Sequence, residues 1–319
     1  MSINHKLISK VMSIVQEDKK NIFYLIYYSI IEAILLLSLP LASSFIINSI
    51  LAHANISVSV LGFIVIVVFI LTTMLQVVKQ YIIEKFEQKI FVSTGIKIAQ
   101  MAVKVRNSSS NTKHIIDKYM NYFFDIAAIQ KIFPILLLDG VGLFVKLIAS
   151  LLLLLVFDTS LFMAGVFFFI LFVVLLLFIG RNGVSYAIER SNTKHDAIYY
   201  LQNIPELEQN EKETLQEFDG LLKDFIYARE RIFQVIIRQL TLTFMIEGII
   251  FSSFLIIGGY LVINGKLPLG EFVAAEIIVV SIINALKGFM KQLDYIYDMF
   301  EGLYKVEKLS FTLKESSDA

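Results

Sequence analysis

The apolar stretches of this chain end before its helical pattern does. Val58 to Val78 is a membrane-length apolar run, and its continuation KQYIIEKFEQKIFVSTGIKIAQMAVKVR to Arg106 has no proline and a single glycine, Gly95. At 1.5 Å per residue the whole segment is roughly 73 Å of helix. A bilayer core takes about 20 residues, so about 28 residues are left to project into water. Past Val78 the apolar positions Tyr81, Ile82, Phe86, Ile90, Ile96 and Val103 recur at helical spacing among Lys, Glu and Gln, the pattern of an amphipathic helix. NSSSNT after Arg106 is the strongest turn cluster in the chain. KHIIDKYMNYFFDIAAIQKIF then returns with amphipathic spacing towards the next apolar run.

The same reading along the rest of the chain predicts six spans: Ile22–Ile50, Val58–Val78, Ile132–Phe157, Leu161–Ile179, Leu240–Ile263 and Leu269–Phe289. The odd-numbered links are short: LAHANISV, FDTS and NGKLP. The other two links are long and helical in pattern. In the second, Arg181 to Asn203 descends, IPELEQNEKET turns at Pro205, and Leu215 to Gln239 returns. Each long link is therefore expected to be a helical hairpin built on undivided helices. Pro40 in the first span and Pro134 at the base of the third are candidate kinks. The fold class is all-α membrane protein, six long helices with two hairpin extensions, 79–131 and 180–239.

Charge sets the orientation. Of 28 Lys and Arg, only Lys266 falls in a short link, so the positive-inside rule puts both termini and both hairpins in the cytoplasm. A bacterial inner membrane is the expected location. Hydrophobic residues make up 57% and charged residues 18%, with 28 acids balancing 28 bases, which argues against nucleic acid as a partner. There is no cysteine, excluding thiolate metal sites and cysteine nucleophiles. His5, His53, His114 and His195 are remote from one another in the predicted layout, so no metal site and no catalytic residue are expected. Tyr24, Tyr27 and Tyr28 fit an interfacial belt.

Ionisable residues inside spans are functional candidates, since a centred charge costs about 2.5–3.5 kcal/mol even on the lenient insertion scale. Six qualify: Glu32, Asp139, Lys146, Glu247, Glu276 and Lys287. Counting at 1.5 Å per residue from the outer helix ends places Glu32, Asp139, Glu247 and Lys287 at roughly one level, about 24–27 Å down. Lys146 and Glu276 lie higher. A shared polar chamber is one reading; ion pairing for packing, Lys287 with Glu32 or Asp139, is the other. Four acids against two bases favour a cationic or zwitterionic cargo.

With these features together, the chain resembles the transmembrane domain of an ATP-binding-cassette (ABC) exporter of the six-helix, type-1 class. The likeness covers 1–312, including an amphipathic stretch, Ile3 to Val15, that matches the family's elbow helix; 313–319 is a tail. Two local echoes accompany the layout: INGKLPLGEFVAAEIIVV, with Gly265 and Gly270 opening the sixth helix and Pro268 where the family usually has Thr, and AIYYLQNIPELEQNEKETLQEF at the second hairpin. The resemblance implies that the hairpin tips seat on nucleotide-binding domains. The matching positions are about Arg106 to Lys113, with Arg106, Asn107, Asn111 and Lys113, and Ile204 to Thr214, with Pro205, Glu206, Glu208 and Glu211.

No G-x-x-x-x-G-K-[ST] phosphate loop occurs, and the linker-like LYKVEKLSFTLKESSDA is not followed by a nucleotide-binding domain. Either another polypeptide supplies the ATPase, the sequence is part of a longer one, or the scaffold works without ATP. The expectation is a permease subunit that binds no cofactor itself, pairs with a second transmembrane subunit, and is driven by ATP and Mg on a separate ATPase chain. The rival expectation is a non-transport assembly or regulatory membrane protein reusing the scaffold.

Overall fold

The computed structural model describes residues 19–53, 58–108, 140–208 and 210–302, and all its regular structure is helical. The helices are α1 Lys19–Leu51, α2 Val58–Ser108, α3 Val141–Phe157, α4 Thr159–Ile179, α5 Gly183–Asn203, α6 Glu211–Ile263 and α7 Leu269–Met290, followed by a helical stretch at 293–302. Five described segments are long and apolar enough to cross a membrane, and α3 is a shorter apolar helix of 17 residues. The chain is an integral, multi-pass membrane protein. The expected third span begins at Ile132, and its first residues, with Pro134, the elbow stretch and the first hairpin's return, lie outside the described residues.

Of the four helices expected to outrun the membrane, α2 and α6 do so. α2 has 51 residues and α6 has 53, each roughly 75–80 Å long. α1 is helical without interruption through the buried Pro40.

The second hairpin departs from expectation in one place. α4 and α5 are not one helix: the chain turns at 180–182. The reason is what packs there. A Cβ on Gly183 would sit 2.4 Å from the Tyr297 ring, and one on Gly180 would sit 2.5 Å from the Gln239 amide. Glycine at both positions admits Gln239 of α6 and Tyr297 of the 293–302 stretch to the joint. Gln239 donates to the Leu176 carbonyl at 3.3 Å and accepts from the Tyr297 hydroxyl at 3.1 Å. The Leu176 carbonyl also accepts from the Gly180 amide at 2.9 Å, so the end of α4 is bonded both by its own last turn and by a buried side chain.

Below the joint, α5 and α6 pack antiparallel. Arg231 makes a two-pronged contact with Glu189 at 2.8 and 2.9 Å and lies 4.2 Å above the Tyr186 ring. Tyr200 stacks on Phe218 and donates to Glu217. The tip is a 3-10 turn at Ile204–Glu206, then extended chain at Leu207. Asn210 caps α6 by accepting from the Lys212 amide at 3.0 Å.

At the short-link end, Gly265 takes the left-handed conformation (φ 68°), and the amides of Lys266 and Leu267 fold back onto the Leu261 carbonyl, so α6 ends in a tight reversal. One apolar core lies here, with Leu154, Leu161, Phe254 and Ile278; a second, with Phe172, Ile232, Met290 and Tyr297, lies around the joint. α1 meets α7 where the Gly270 amide donates to Asn48 Oδ1 at 2.8 Å. A Cβ on Gly270 would come within 2.3 Å of the Ser44 carbonyl oxygen.

Because that contact is with backbone, Gly270→Val is expected to destabilise the bundle by about 1–3 kcal/mol. Gly259→Ala, with open space around it, serves as the control. The check is the Tm of detergent-solubilised protein, and equal Tm values for the two variants would contradict the close α1–α7 approach.

Candidate functional site

Four helices each turn one face towards a cavity of about 440 Å³. α1 supplies Ser29, Glu32, Ala33 and Leu36, and α2 supplies Gln76, Lys79 and Gln80. α3 supplies Gly142, Leu143 and Lys146; Ala285, Gly288 and Phe289 of α7 complete the wall with Gln292 just beyond it. Within each set the spacing is three and four residues, so each set is one stripe of a helix. α1 can present such a stripe because it packs against α2, α3 and α7.

The cavity's charges are partly spent on each other. Glu32 forms an ion pair with Lys79 and accepts from the Gln76 amide at 2.8 Å. Side-chain exposure is 5% for Lys79 and 12% for Glu32, so this is a buried pair, and each charge compensates the other's desolvation. Lys146 faces the same cavity from α3. Ser29 Oγ is buried in the wall with no hydrogen-bond partner among the described residues.

The six intramembrane candidates thus separate. Glu32 and Lys146 share the cavity. Lys287 does not pair with Glu32: it pairs with Glu247 on the neighbouring α6, at 3.0 and 2.9 Å, with its ammonium 5.7 Å from the Phe244 ring. Equal depth put these groups at one level, but their azimuth on the helices sends them to different neighbours. Neither Glu247 nor Lys287 lines the cavity. Glu276 stands apart, its Oε2 buried without a hydrogen-bond partner among the described residues. Asp139 lies outside the described residues. Lys79 and Gln76, which complete the site, were missed because they sit at the end of an apolar run, where a polar residue reads as a helix emerging from lipid.

Of the hairpin-tip candidates, Pro205 and Glu206 form the 3-10 turn, Glu208 follows it, and Glu211 opens α6; all four are exposed. Arg106 and Asn107 lie in the last turn of α2, while Asn111 and Lys113 fall outside the described residues.

No protein-family profile matches the sequence, and a search of curated proteins gives no match. Among solved structures, the chain superposes on a bacterial Atm1-family ABC exporter with ATP bound, at a TM-score of 0.74 and 12% identity over 93% of this chain. The chain has the fold of an ABC-exporter transmembrane domain. It spans about half of that structure's length, 54%.

Within this exporter fold a second polar cluster ties the hairpin to the chain beyond α7. Arg190 of α5 contacts three carboxylates: Asp294 at 3.1 Å, Asp298, and Glu301 at 3.4 Å. The acids sit at i, i+4 and i+7 of the 293–302 helical stretch, one stripe facing α5. Lys194, one turn along α5, reaches Glu301 at 3.8 Å. Burial pushes the Asp298 carboxyl up, and the neighbouring Asp294 and Glu301 add to the rise while Arg190 opposes it. Burial disfavours the Arg190 charge too, yet the three carboxylates outweigh it and raise its pKa. Nothing in the apolar pattern pointed to this cluster; the acidic i, i+4, i+7 spacing was the available signal.

Arg190→Gln leaves those carboxylates uncompensated. It is expected to cost about 2–3 kcal/mol, below the range of a fully buried pair because Asp294 and Asp298 keep contact with water. Without the arginine the folded-state pKa of Asp298 rises further above the ordinary aspartate value of about 3.9. Between those two values the folded variant binds more protons than the unfolded chain, so its stability falls as pH rises and recovers as pH drops. The check is the wild-type-minus-variant Tm difference against pH. A difference that widens on acidification would contradict this account.

Proposed function

We propose that this chain is the permease subunit of an ABC-type exporter, pairing with a second transmembrane subunit to form an alternating-access pathway. The observation that carries the reading is α6. One uninterrupted helix runs from the hairpin tip at Glu211 to the short-link end at Ile263, so a displacement at the tip is a displacement beside the bundle. The superposition on an ABC exporter supports it. In this reading the termini and hairpin tips lie in the cytoplasm of a bacterial inner membrane.

Nucleotide-binding domains dock at about Arg106 to Lys113 and Ile204 to Thr214. They hold ATP and Mg outside residues 1–319, which contain no phosphate loop. Their closure drives the tips together. The tips must contact the motor differently in its two states, since only differential contact shifts a conformational equilibrium. The cavity bounded by Glu32, Lys79 and Lys146 is the inner part of the cargo pathway.

The test reverses charge at the exposed second tip, with Glu206→Lys, Glu208→Lys and Glu211→Lys combined in the full chain. In membranes, co-purification of the ATPase and cargo-stimulated ATP hydrolysis are expected to fall at least tenfold while the Tm of the bundle is unchanged. Full coupling in the triple variant would overturn the docking mechanism.

A further inference from the structure

The cavity's recognition chemistry runs opposite to the acid excess counted among the intramembrane candidates. Among its described lining residues are two ammonium groups, Lys79 and Lys146, and one carboxylate, Glu32. The carboxylate is already engaged at both oxygens: Oε2 by Lys79 and Oε1 by the Gln76 amide. Lys146 faces the same space, attracted to Glu32 but without a hydrogen bond or ion-pair contact to it among the described residues. Ser29 adds a buried hydroxyl whose oxygen has no hydrogen-bond partner among the described residues. The two remaining functions, an ammonium and a hydroxyl, are donors seeking an acceptor. A charged group left in this setting is costly without a counter-charge. Ala33, Leu36, Leu143 and Phe289 add apolar lining beside these groups.

We propose that this cavity binds an amphipathic anion, its carboxylate or phosphate group held by Lys146 and Ser29 and its apolar body laid against Leu36, Leu143 and Phe289. The Glu32–Lys79 pair is the fixed neutral partner beside it. A volume of about 440 Å³ falls within the range of small-ligand pockets, about 300–1,000 Å³, so the bound portion is a small organic anion or a lipid headgroup rather than a folded chain. This deepens the pathway reading above and rests on it for its role in transport. The binding chemistry itself is separately measurable.

The test uses the full chain in nanodiscs and two probes of matched body and opposite charge, 1-naphthyl phosphate and 1-naphthylmethylammonium, followed by naphthyl fluorescence anisotropy. Wild type is expected to bind the phosphate at least tenfold more tightly than the ammonium. Lys146→Gln removes that preference, Lys146→Arg keeps it, and Ser29→Ala weakens phosphate binding severalfold. Acylation of Lys146 in the wild-type chain, read by peptide mass, is expected to slow when the phosphate probe is present; this readout needs no variant to fold. Nanodiscs containing phosphatidylglycerol assign the source: competition with the probe marks a lipid phosphate as occupant, and its absence marks a soluble anion. Equal affinity for the two probes, no binding of either, or a Lys146→Gln variant that retains the phosphate preference each overturns the proposal. Anion binding without ATP-driven transport would instead retire the pathway reading and leave the site standing.

Discussion

In hydrocarbon there is no water to satisfy an open peptide group, so a spanning helix cannot end until a partner is found for its last carbonyls. The rest of this structure depends on how that requirement is met at the base of α4. The chain breaks at 180–182, where the Leu176 carbonyl accepts from the Gly180 backbone amide at 2.9 Å and also from the side-chain amide of Gln239, whose oxygen is in turn held by Tyr297. One buried glutamine thereby joins three elements that are far apart in sequence. It also fixes the glycines, because any side chain at Gly180 or Gly183 would collide with the groups that make the joint. A break that could have been a loose hinge is instead a fastened corner, and α5 leaves it in a defined direction along α6.

The same logic governs the charges. Each ionised group with a bonded partner in the bundle is matched by a neighbour on an adjacent helix: Glu32 by Lys79 across α1 and α2, and Lys287 by Glu247 across α7 and α6. Such pairs contribute little net stability, since desolvation offsets attraction. What they do is fix which faces meet. With Glu32 turned towards Lys79 of α2 and Lys287 towards α6, α7 is left to present Ala285, Gly288 and Phe289 to the cavity, and α3 brings Lys146 to its wall.

Much of this was legible in the sequence. Span positions followed from apolar runs, and the over-long α2 and α6 from helical spacing that persists after the run ends, because local periodicity is what a helix in lipid must keep. The tip at Ile204–Glu206 was marked by Pro205. What failed to show had tertiary causes. The joint at 180–182 was read through as helix although Gly180 and Asn182–Gly183 are local turn signals; what the local sequence could not show is that Gln239 and Tyr297, far along the chain, pack into it. Depth along a helix could be counted, but the side on which a residue faces its neighbours could not, so Lys287 went to Glu247 rather than Glu32. Lys79 was hidden by lying one residue past an apolar boundary, although its side chain is among the more buried in the protein. Arg190 sat in a stretch read simply as the descending arm of the hairpin, and its three acids lay past the sixth span, where no element was predicted.

These placements together define a continuous route between the hairpin tip and the cavity. The tip is joined to α5 and α6, which are clamped to each other by Arg231–Glu189 and by the Tyr200–Phe218 stack. α5 is tied through Arg190 to the 293–302 stretch, and that stretch continues from α7, whose Gly288 and Phe289 wall the cavity. Proximity alone does not make a route a transmission; an element with two arrangements is needed. The apolar cores and the Gln239 joint are buried and closely packed, whereas Asp294 is 55% and Asp298 33% exposed at the Arg190 cluster, and Arg231 and Glu189 are 37% and 39% exposed at theirs. These two ion-pair contacts are the ones on the route most open to water, and a change of carboxylate on Arg190 would alter how the hairpin meets the stretch that continues from α7.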